Sequence, residues 1–229
     1  ARIQDEKIPL RFGLLGQETT GAGGFMNALR TVPEIIKIAH AIEDYAPDAW
    51  FINFSNPSGI MAEAVLNYTP VKMIGLCNVP TVILKDAMLR IPKGTQSIDY
   101  DYVGLNHLAW LTALYADGKE ILGEQLQNET QISGMKNTPQ IPYPPQMLQQ
   151  IGGIPANYPS YFYFRDEQIQ KCMEAKLSSG EECKKIEEEL LKMYQDPALC
   201  SKPALLEKRG GAYYSEAAVS LIESLENNR

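Results

Sequence analysis

Short apolar segments alternate with helical ones between residues 50 and 90, and this alternation constrains the fold more than any other feature. Residues 50–54 and 71–76 are apolar runs of the length expected for buried strands, and residues 60–66 and the segment after Pro80 suit helices. Strand–helix–strand–helix with short connections is typical of a parallel sheet in an α/β domain. Ligands bind such sheets at the carboxyl ends of the strands. Asn56 and Cys77 are predicted to lie at two of these ends.

The remaining elements are predicted from proline, turn and periodicity signals. Pro33 is predicted to begin a helix, because isoleucine and alanine residues follow it at helical spacing. Residues 99–115 suit one or two strands on either side of Asn106 and His107. Residues 123–160 are rich in Gln, Asn and Pro and predict a long irregular segment. Further helices are predicted at about 166–176, 181–195 and 212–226.

Composition excludes several classes of partner. The formal net charge of −7 and pI near 5.0 argue against nucleic acid or an anionic membrane as a general partner. No apolar run approaches the roughly 20 residues that cross a bilayer. The four cysteines form no CxxC pair, which is typical of reduced thiols in the cytoplasm. The chain lacks an initiator methionine and ends just past a predicted helix, so it is expected to be part of a longer protein.

Cys77 and His107 are the first candidates for chemistry. A thiolate and an imidazole can bind a borderline divalent metal and leave positions open for substrate oxygens. They can equally form a Cys–His nucleophilic pair. Packing without any chemical role is a third interpretation, and spacing alone does not separate the three.

Several polar segments are weaker candidates. The glycine-rich residues 16–24 suit either a flexible loop or an anion cradle in which Glu18 binds a sugar hydroxyl, and they lack the GxGxxG spacing of a dinucleotide loop. Asn53 and Asn56 either form a turn or point their amides into the crevice at the strand end. Lys208 and Arg209 suit an ordinary loop or a phosphate site before the last helix. Tyrosines cluster near residues 100, 158–163 and 213–214.

The order of these segments and the residues in them resemble those of the NAD-dependent family-4 glycoside hydrolases. That family is an exception to two-carboxylate hydrolysis. The resemblance covers essentially the whole chain. Cysteine followed by Asn-x-Pro resembles the 6-phospho-β-glucosidase branch, because α-acting relatives have an aspartate at the position of Asn78 that can serve as the acid. The motifs that carry the resemblance are RIQDEKIPL at 2–10, GQETTG at 16–21, INFSNP at 52–57, GLCNVP at 75–80, GLNHL at 104–108 and KRGGA at 208–212.

The resemblance implies a redox-assisted elimination. NAD⁺ removes a hydride from C3 of a phosphorylated glucosyl unit, a base takes the acidified C2 proton, and the aglycone leaves. Water then adds and the hydride returns. A divalent metal, manganese by analogy, polarises the oxygens on C2 and C3. Substrates such as cellobiose 6-phosphate imply a cytoplasmic enzyme.

The resemblance also assigns residues. Cys77 and His107 match the metal ligands, and Tyr161, or else Tyr158, matches the base. Asn78 occupies the position of the acid in α-acting relatives. The remaining assignments are Arg2 and Asn56 at the sugar phosphate, Glu18 at the substrate or metal, Arg209 as a further phosphate ligand, and Asn53 and Asn56 beside the cofactor.

The expected fold is α/β. Residues 1–103 would form the second half of a Rossmann-like NAD-binding domain with a parallel sheet, and residues 104–229 part of an α+β, largely helical substrate domain. The family's dinucleotide loop precedes the segment that begins at Arg2, so this chain lacks it. A homodimer or homotetramer is expected. Two alternatives remain: a malate- or lactate-type NAD-dependent dehydrogenase, and a non-catalytic fragment of the glycosidase.

Overall fold

The structure is a computed structural model, and it describes residues 1–127, 141, 143–209 and 213–228. Helices predominate over strands within those residues. The elements in chain order are α1 (Arg2–Leu10), α2 (Gly21–Tyr45), β1 (Trp50–Asn53), α3 (Ser58–Tyr68), β2 (Lys72–Gly75), α4 (Val79–Met88), β3 (Ile98–Leu105), β4 (Leu108–Ala116), β5 (Lys119–Glu120), α5 (Leu122–Gln127), α6 (Pro145–Ile151), β6 (Ile154–Pro155), α7 (Ser160–Tyr163), α8 (Arg165–Glu174), α9 (Ser179–Met193), a 3-10 helix (Ala204–Arg209) and α10 (Tyr214–Asn227).

The chain divides into two compact units. The first contains Ala1–Cys77, Ile169–Gly210 and Ser215–Arg229, and the second contains Asn78–Gln168 and Gly211–Tyr214. A small parallel sheet belongs to the first unit and an antiparallel sheet to the second. The predicted α/β class, with a largely helical remainder, is confirmed.

The first unit contains the predicted strand–helix–strand segment. β1 and β2 pair in parallel, with Trp50 opposite Lys72 and Asn53 opposite Gly75, and α3 connects them. Parallel strands need such a crossover, because a short turn cannot return the chain to the same end of the sheet. The buried core consists of apolar side chains from α2, α3 and the second strand region: Ile35, Ala39, Met61, Val65, Val71 and Met73.

The predicted helix start at Pro33 is wrong. α2 begins twelve residues earlier, at Gly21, and runs through Pro33 to Tyr45. A proline inside a helix removes one hydrogen bond and costs about 3 kcal/mol. Ala28 before the proline and Ile35 and Ala39 after it are buried, so packing on both sides of Pro33 stabilises one continuous helix.

The second unit is organised around β4. This strand pairs antiparallel with β3, β5 and β6. Inward-facing residues of β4 such as Leu111 and Leu114 are fully buried. The β3–β4 hairpin confirms the two predicted strands, and its turn contains Asn106 and His107.

The last three helices lie close to their predicted positions. The N-terminal helix α1 was not predicted. α8, α9 and α10 each begin within two residues of the predicted bounds. Ser178 caps α9, with its hydroxyl accepting from the backbone of Glu181 and the Glu181 side chain accepting from Ser178 in return. The segment predicted to be irregular contains α5 and α6, and its residues 128–140 and 142 lie outside the described part.

Among the helices that the structure describes, none has both the length and the apolar character needed to cross a membrane.

Candidate active site

Three of the four predicted substrate-binding residues contact one another in the first unit. The guanidinium of Arg2 contacts Glu18, with 2.7 Å between Nη1 and Oε2. The other carboxylate oxygen of Glu18 accepts a hydrogen bond from the Asn56 amide at 3.1 Å. All three residues are partly exposed, as residues that meet a ligand must be. A cation, a carboxylate and an amide therefore share one surface.

Asn27 joins the same group and was not predicted from the sequence. Its amide donates to the backbone carbonyl of Glu18 and to that of Asn56, both at 3.1 Å. It thereby fixes the backbone at both residues. Arg2, Glu18, Asn27 and Asn56 are called the Arg2 cluster below.

The glycine-rich segment places Glu18 through close packing. A Cβ at Gly16 would collide with the backbone of Glu6 in α1, and one at Gly23 would collide with the backbone of Gln17. Only glycine permits these approaches. The segment is thus a tight connection between α1 and α2, and its last residues form the first turn of α2. The choice between a loop and an anion cradle stays a prediction for this stretch.

Two carboxylates of α1 are buried, and one of them, Glu6, contacts the cluster. Glu6 accepts a hydrogen bond from Nε of Arg2 at 2.9 Å. Asp5 forms a two-point ion pair with Arg30 of α2. Burial alone would lower the pKa of Arg2, but the carboxylates of Glu18 and Glu6 outweigh it and raise that pKa above its usual value. Arg2 is therefore a fixed cation at every pH at which the protein is folded.

The carboxyl ends of β1 and β2 carry the other candidates of the first unit. The side chain of Asn53 is buried, and it accepts from the backbone N–H of Ser55 at 3.1 Å and donates to the Ser55 carbonyl at 3.0 Å. The Asn53 side chain thus stabilises a turn, which is the first of the two interpretations given for it. Cys77 follows β2, is partly buried and forms no disulfide. Asn78, which opens the second unit, is the 2% exposed N-cap residue of α4.

In the second unit, the β3–β4 hairpin presents His107. Gly104 has φ +124°, and a Cβ there would meet the backbone of Leu108 and Ala109. His107 itself has φ +66°, a conformation that few residues other than glycine adopt. Such strain of about 1–3 kcal/mol persists where the surrounding structure over-determines it, often at functional sites. The hairpin therefore holds His107 in a defined position.

His107 packs against one of the predicted tyrosines, which in turn contacts the other. Its ring stacks on that of Tyr158, with centroids 3.9 Å apart and an interplanar angle of 16°. The ring of Tyr161 meets Tyr158 edge-on, with centroids 5.9 Å apart. Burial lowers the pKa of His107 from 6.5 to about 4, so the imidazole is neutral at pH 7. The structure thus joins the predicted metal-ligating histidine to both predicted bases; these three residues are called the His107 cluster.

A buried hydrogen-bonded chain holds the turn that carries both tyrosines. The amide of Gln168 donates to the Ser160 hydroxyl at 3.1 Å, and that hydroxyl donates to the carbonyl of Asn157 at 2.6 Å. Gln168 is the only buried residue of α8, and its side chain is fully enclosed. Burying an amide is unfavourable unless it is hydrogen-bonded. The sequence offered no signal for this glutamine, because α8 otherwise has the composition of an exposed helix.

Cys77 and His107 fit a divalent metal by their chemistry. A thiolate and a neutral imidazole are the donor types that borderline metals take, and His107 is already in the neutral form. Cys77 belongs to the first unit and His107 to the second. Across the described residues, no group of three or more His, Cys, Asp or Glu side chains is arranged to hold a metal ion. The ligand assignment stays a prediction.

Arg209 is the candidate that the structure supports least. It is exposed at the end of the 3-10 helix in the first unit. Residues 210–212, the glycines of its motif and the alanine after them, lie outside the described part of the chain. Its role as a phosphate ligand stays a prediction.

Comparison with known proteins gives the same family for both parts of the chain. The sequence model "Family 4 glycosyl hydrolase" matches residues 1–91, and "Family 4 glycosyl hydrolase C-terminal domain" matches residues 102–229. The chain is 39% identical to a probable 6-phospho-β-glucosidase of Bacillus subtilis and 35% identical to the 6-phospho-β-glucosidase of Escherichia coli. Both alignments cover 100% of this chain and 53% of the relative.

Comparison with solved structures gives a protein of the same kind. The fold matches that of the 6-phospho-β-glucosidase of Thermotoga maritima, solved with manganese, NAD⁺ and glucose-6-phosphate, with a TM-score of 0.80 and 33% identity. That match covers 98% of this chain and 52% of the Thermotoga chain. The chain thus spans about half the length of the relatives it matches.

Proposed function

The chain belongs to family 4 of the glycosyl hydrolases, and on that basis we propose that the protein containing it is a 6-phospho-β-glucosidase. The Arg2 cluster is the observation that carries the proposal. Arg2, Glu18 and Asn56 stand 16 and 38 residues apart in sequence, yet they form one hydrogen-bonded group of the polarity that a phosphorylated sugar needs. The relatives named above are described as acting on 6-phospho-β-glucosides.

Arg2 is proposed to bind the sugar phosphate. A guanidinium has five N–H donors in a planar fork that matches a phosphate, and the contacts with Glu6 and Glu18 engage two of them. The carboxylate of Glu18 carries the same sign of charge as the phosphate. Glu18 therefore turns toward a sugar hydroxyl or the metal when the phosphate binds, and Asn56, which it releases, donates to the substrate. Arg209 is proposed as a second cation for the same phosphate.

Asn78 favours a β-glucoside over an α-glucoside. A carboxamide carries no proton that it can transfer to a leaving oxygen, whereas an aspartate at this position can act as the acid. Asn78 is buried at the start of α4, where it can hold a group in place by hydrogen bonding. We assign it to binding and orientation beside the catalytic residues.

Cys77 and His107 are proposed as ligands of a divalent metal, manganese by analogy with the Thermotoga relative, and Asn53 and Asn56 as neighbours of NAD. When bound, NAD and the metal supply hydride acceptance at C3 and polarisation of the oxygens on C2 and C3. Cys77 contributes a thiolate and His107 a neutral imidazole. Asn53 keeps the turn after β1 in place through both of its polar atoms.

Tyr161 is proposed to take the C2 proton, with Tyr158 as the alternative. A phenol must lose its own proton first, and a nearby cation lowers the pKa of about 10 that opposes this. Tyr158 lies flat on His107 and orients it. Tyr161 meets Tyr158 edge-on and belongs to the same group. The two tyrosines thereby divide the tasks of orientation and proton transfer.

The wider features follow from the family. Residues 1–103 are proposed to contribute to the NAD-binding domain, and residues 104–229 to the substrate domain. The enzyme is proposed to be a cytoplasmic homodimer or homotetramer, since its substrates are sugars phosphorylated on entry into the cell.

The test is an assay on p-nitrophenyl β-glucoside 6-phosphate with NAD⁺ and Mn²⁺, run on the 229-residue chain and on the longer protein that contains it. We expect turnover by the longer protein that needs NAD⁺, metal and the 6-phosphate, with far slower turnover of the α-anomer. Oxidation of a 2-hydroxy acid instead would support a dehydrogenase, an alternative that the family match does not favour. Turnover by the longer protein alone would make this chain a non-catalytic fragment.

A further inference from the structure

Glu6 is a buried carboxylate that the proposed reaction does not use. It is 6% exposed, although a charged side chain is rarely buried without partners. Each of its oxygens accepts a hydrogen bond. Oε1 accepts from Nε of Arg2 at 2.9 Å, and Oε2 accepts from the backbone N–H of Gly180 at 2.8 Å.

The second contact ties α1 to a segment 174 residues away. Gly180 lies in the first turn of α9, where backbone N–H groups have no partner within the helix. A Cβ at Gly180 would stand 3.0 Å from Oε2 of Glu6 and 3.2 Å from a side-chain carbon of Ile3. The absence of a side chain at this residue lets the helix end approach the carboxylate. The N-terminus of α9 thus restrains the Glu6 side chain through its second carboxylate oxygen.

Glu6 in turn fixes Arg2. Glu6 contacts Nε of the guanidinium, and Glu18 contacts a different nitrogen, Nη1. A hydrogen bond at Nε restrains rotation about the last side-chain bonds, and it therefore favours one orientation of the terminal nitrogens. An arginine that is not held in this way loses side-chain rotamer entropy when a ligand orders it.

We propose that Glu6 is a positioning residue that orients Arg2 for the substrate phosphate, and that the backbone N–H of Gly180 holds Glu6 in place. The inference rests on the proposed role of Arg2. Neighbouring Lys7 and Glu181 form an ion pair between the same two helices and strengthen the α1–α9 contact. The phosphate site thus depends on a helix distant in sequence.

Glu6→Gln is the decisive variant. The glutamine oxygen can still accept from Gly180, but its amide then points N–H groups at the N–H of Arg2, so only the Arg2 contact is lost. Asp5→Asn is the matched control, because Asp5 is the adjacent buried carboxylate of α1 and pairs with Arg30. Both variants remove one buried negative charge from one helix.

Two readouts separate positioning from folding. The first is the Nε–H signal of Arg2 in ¹⁵N NMR spectra of the chain, which reports the Glu6 contact without any ligand. The second is titration of the same signal with glucose 6-phosphate. We expect Glu6→Gln to shift the Arg2 signal, speed its hydrogen exchange and weaken glucose 6-phosphate binding about tenfold, the range for a lost hydrogen bond to a charged group. Asp5→Asn should leave both readouts near the wild type.

The outcomes are distinct. Equal weakening by Glu6→Gln and Asp5→Asn, or an unchanged Arg2 signal in Glu6→Gln, would overturn the positioning role and leave the proposed function intact. Wild-type protein that does not bind glucose 6-phosphate would contradict the role of Arg2 in the proposed function, and with it the role of Glu6. Loss of binding in Gly180→Ala with normal unfolding temperature would further support the proposal.

Discussion

The imidazole of His107 lies flat on the phenol ring of Tyr158, with ring centroids 3.9 Å apart and planes inclined by 16°. The hairpin turn fixes the histidine and the 157–161 turn fixes the tyrosine. Stacking of this kind orients the imidazole, so the nitrogen that would bind a metal points in one direction.

The first prediction distinguishes the roles of Tyr161 and Tyr158. Tyr161→Phe should lower kcat by about 100-fold or more, the usual contribution of a general base, with little change in KM. Tyr158→Phe keeps the ring that stacks on His107 and should lower kcat much less. Steady-state kinetics on the β-glucoside 6-phosphate measure both. The reverse order would make Tyr158 the base.

The second prediction concerns the metal. Cys77→Ser should weaken Mn²⁺ binding about tenfold or more, because a neutral hydroxyl replaces a thiolate ligand, and His107→Ala should have a similar effect. Equilibrium dialysis against Mn²⁺, with the longer protein, measures this. Cys200→Ser is the control, since Cys200 is an exposed thiol. Equal affinity in Cys77→Ser and wild type would remove Cys77 from the ligand set.

The third prediction concerns the phosphate. Arg2→Met should raise KM for the phosphorylated substrate by about ten- to a hundred-fold, because it removes a charge-assisted hydrogen bond to the phosphate. Arg11→Met, at an exposed position just after α1, should leave KM unchanged. A comparable rise in both variants would show that net charge, and not Arg2, governs substrate binding.

The fourth prediction concerns stability in acid. The Asp117 carboxylate accepts backbone hydrogen bonds from Ser97 at 2.8 Å and Gln96 at 2.9 Å, which hold its pKa below the usual 3.8. A carboxyl whose pKa is lower in the folded state stabilises the protein above its ordinary pKa. That contribution is lost as pH falls through the lower folded value.

Thermal unfolding of wild type and Asp117→Asn, followed from pH 6 to pH 2, measures this contribution. Asparagine tolerates the φ of +48° at this position, so the variant changes charge without new strain. The gap in Tm between the two proteins should shrink as pH falls below about 4. A gap that stays constant over the whole range would contradict the assignment.

The sequence alone predicted those parts of the site that depend on short stretches of neighbouring residues. Asn56 and Cys77 follow two parallel strands, and the rule that ligands bind at strand ends singled them out. His107 was predicted as a turn residue between two strands. These positions follow from turn and strand signals that span fewer than ten residues.

Contacts between distant segments could not be predicted in the same way. Glu6 and Gly180 are 174 residues apart, and nothing near either residue indicates the other. α1 contains Pro9 and has a weak apolar stripe, so periodicity did not reveal it as a helix. Gln168 is the one buried residue of a helix whose other residues are exposed or half-buried. Tertiary packing, and not local pattern, decides these positions.

The most direct test of the account is the fate of the C2 hydrogen. The longer protein should be allowed to cleave a β-glucoside 6-phosphate in D₂O with NAD⁺ and Mn²⁺, and the glucose 6-phosphate formed should be examined by proton NMR. Removal of the C2 proton by a tyrosine, followed by its return from solvent, predicts deuterium at C2 of the product. Product that retains its original hydrogen at C2 would contradict elimination and would require a different mechanism for this protein.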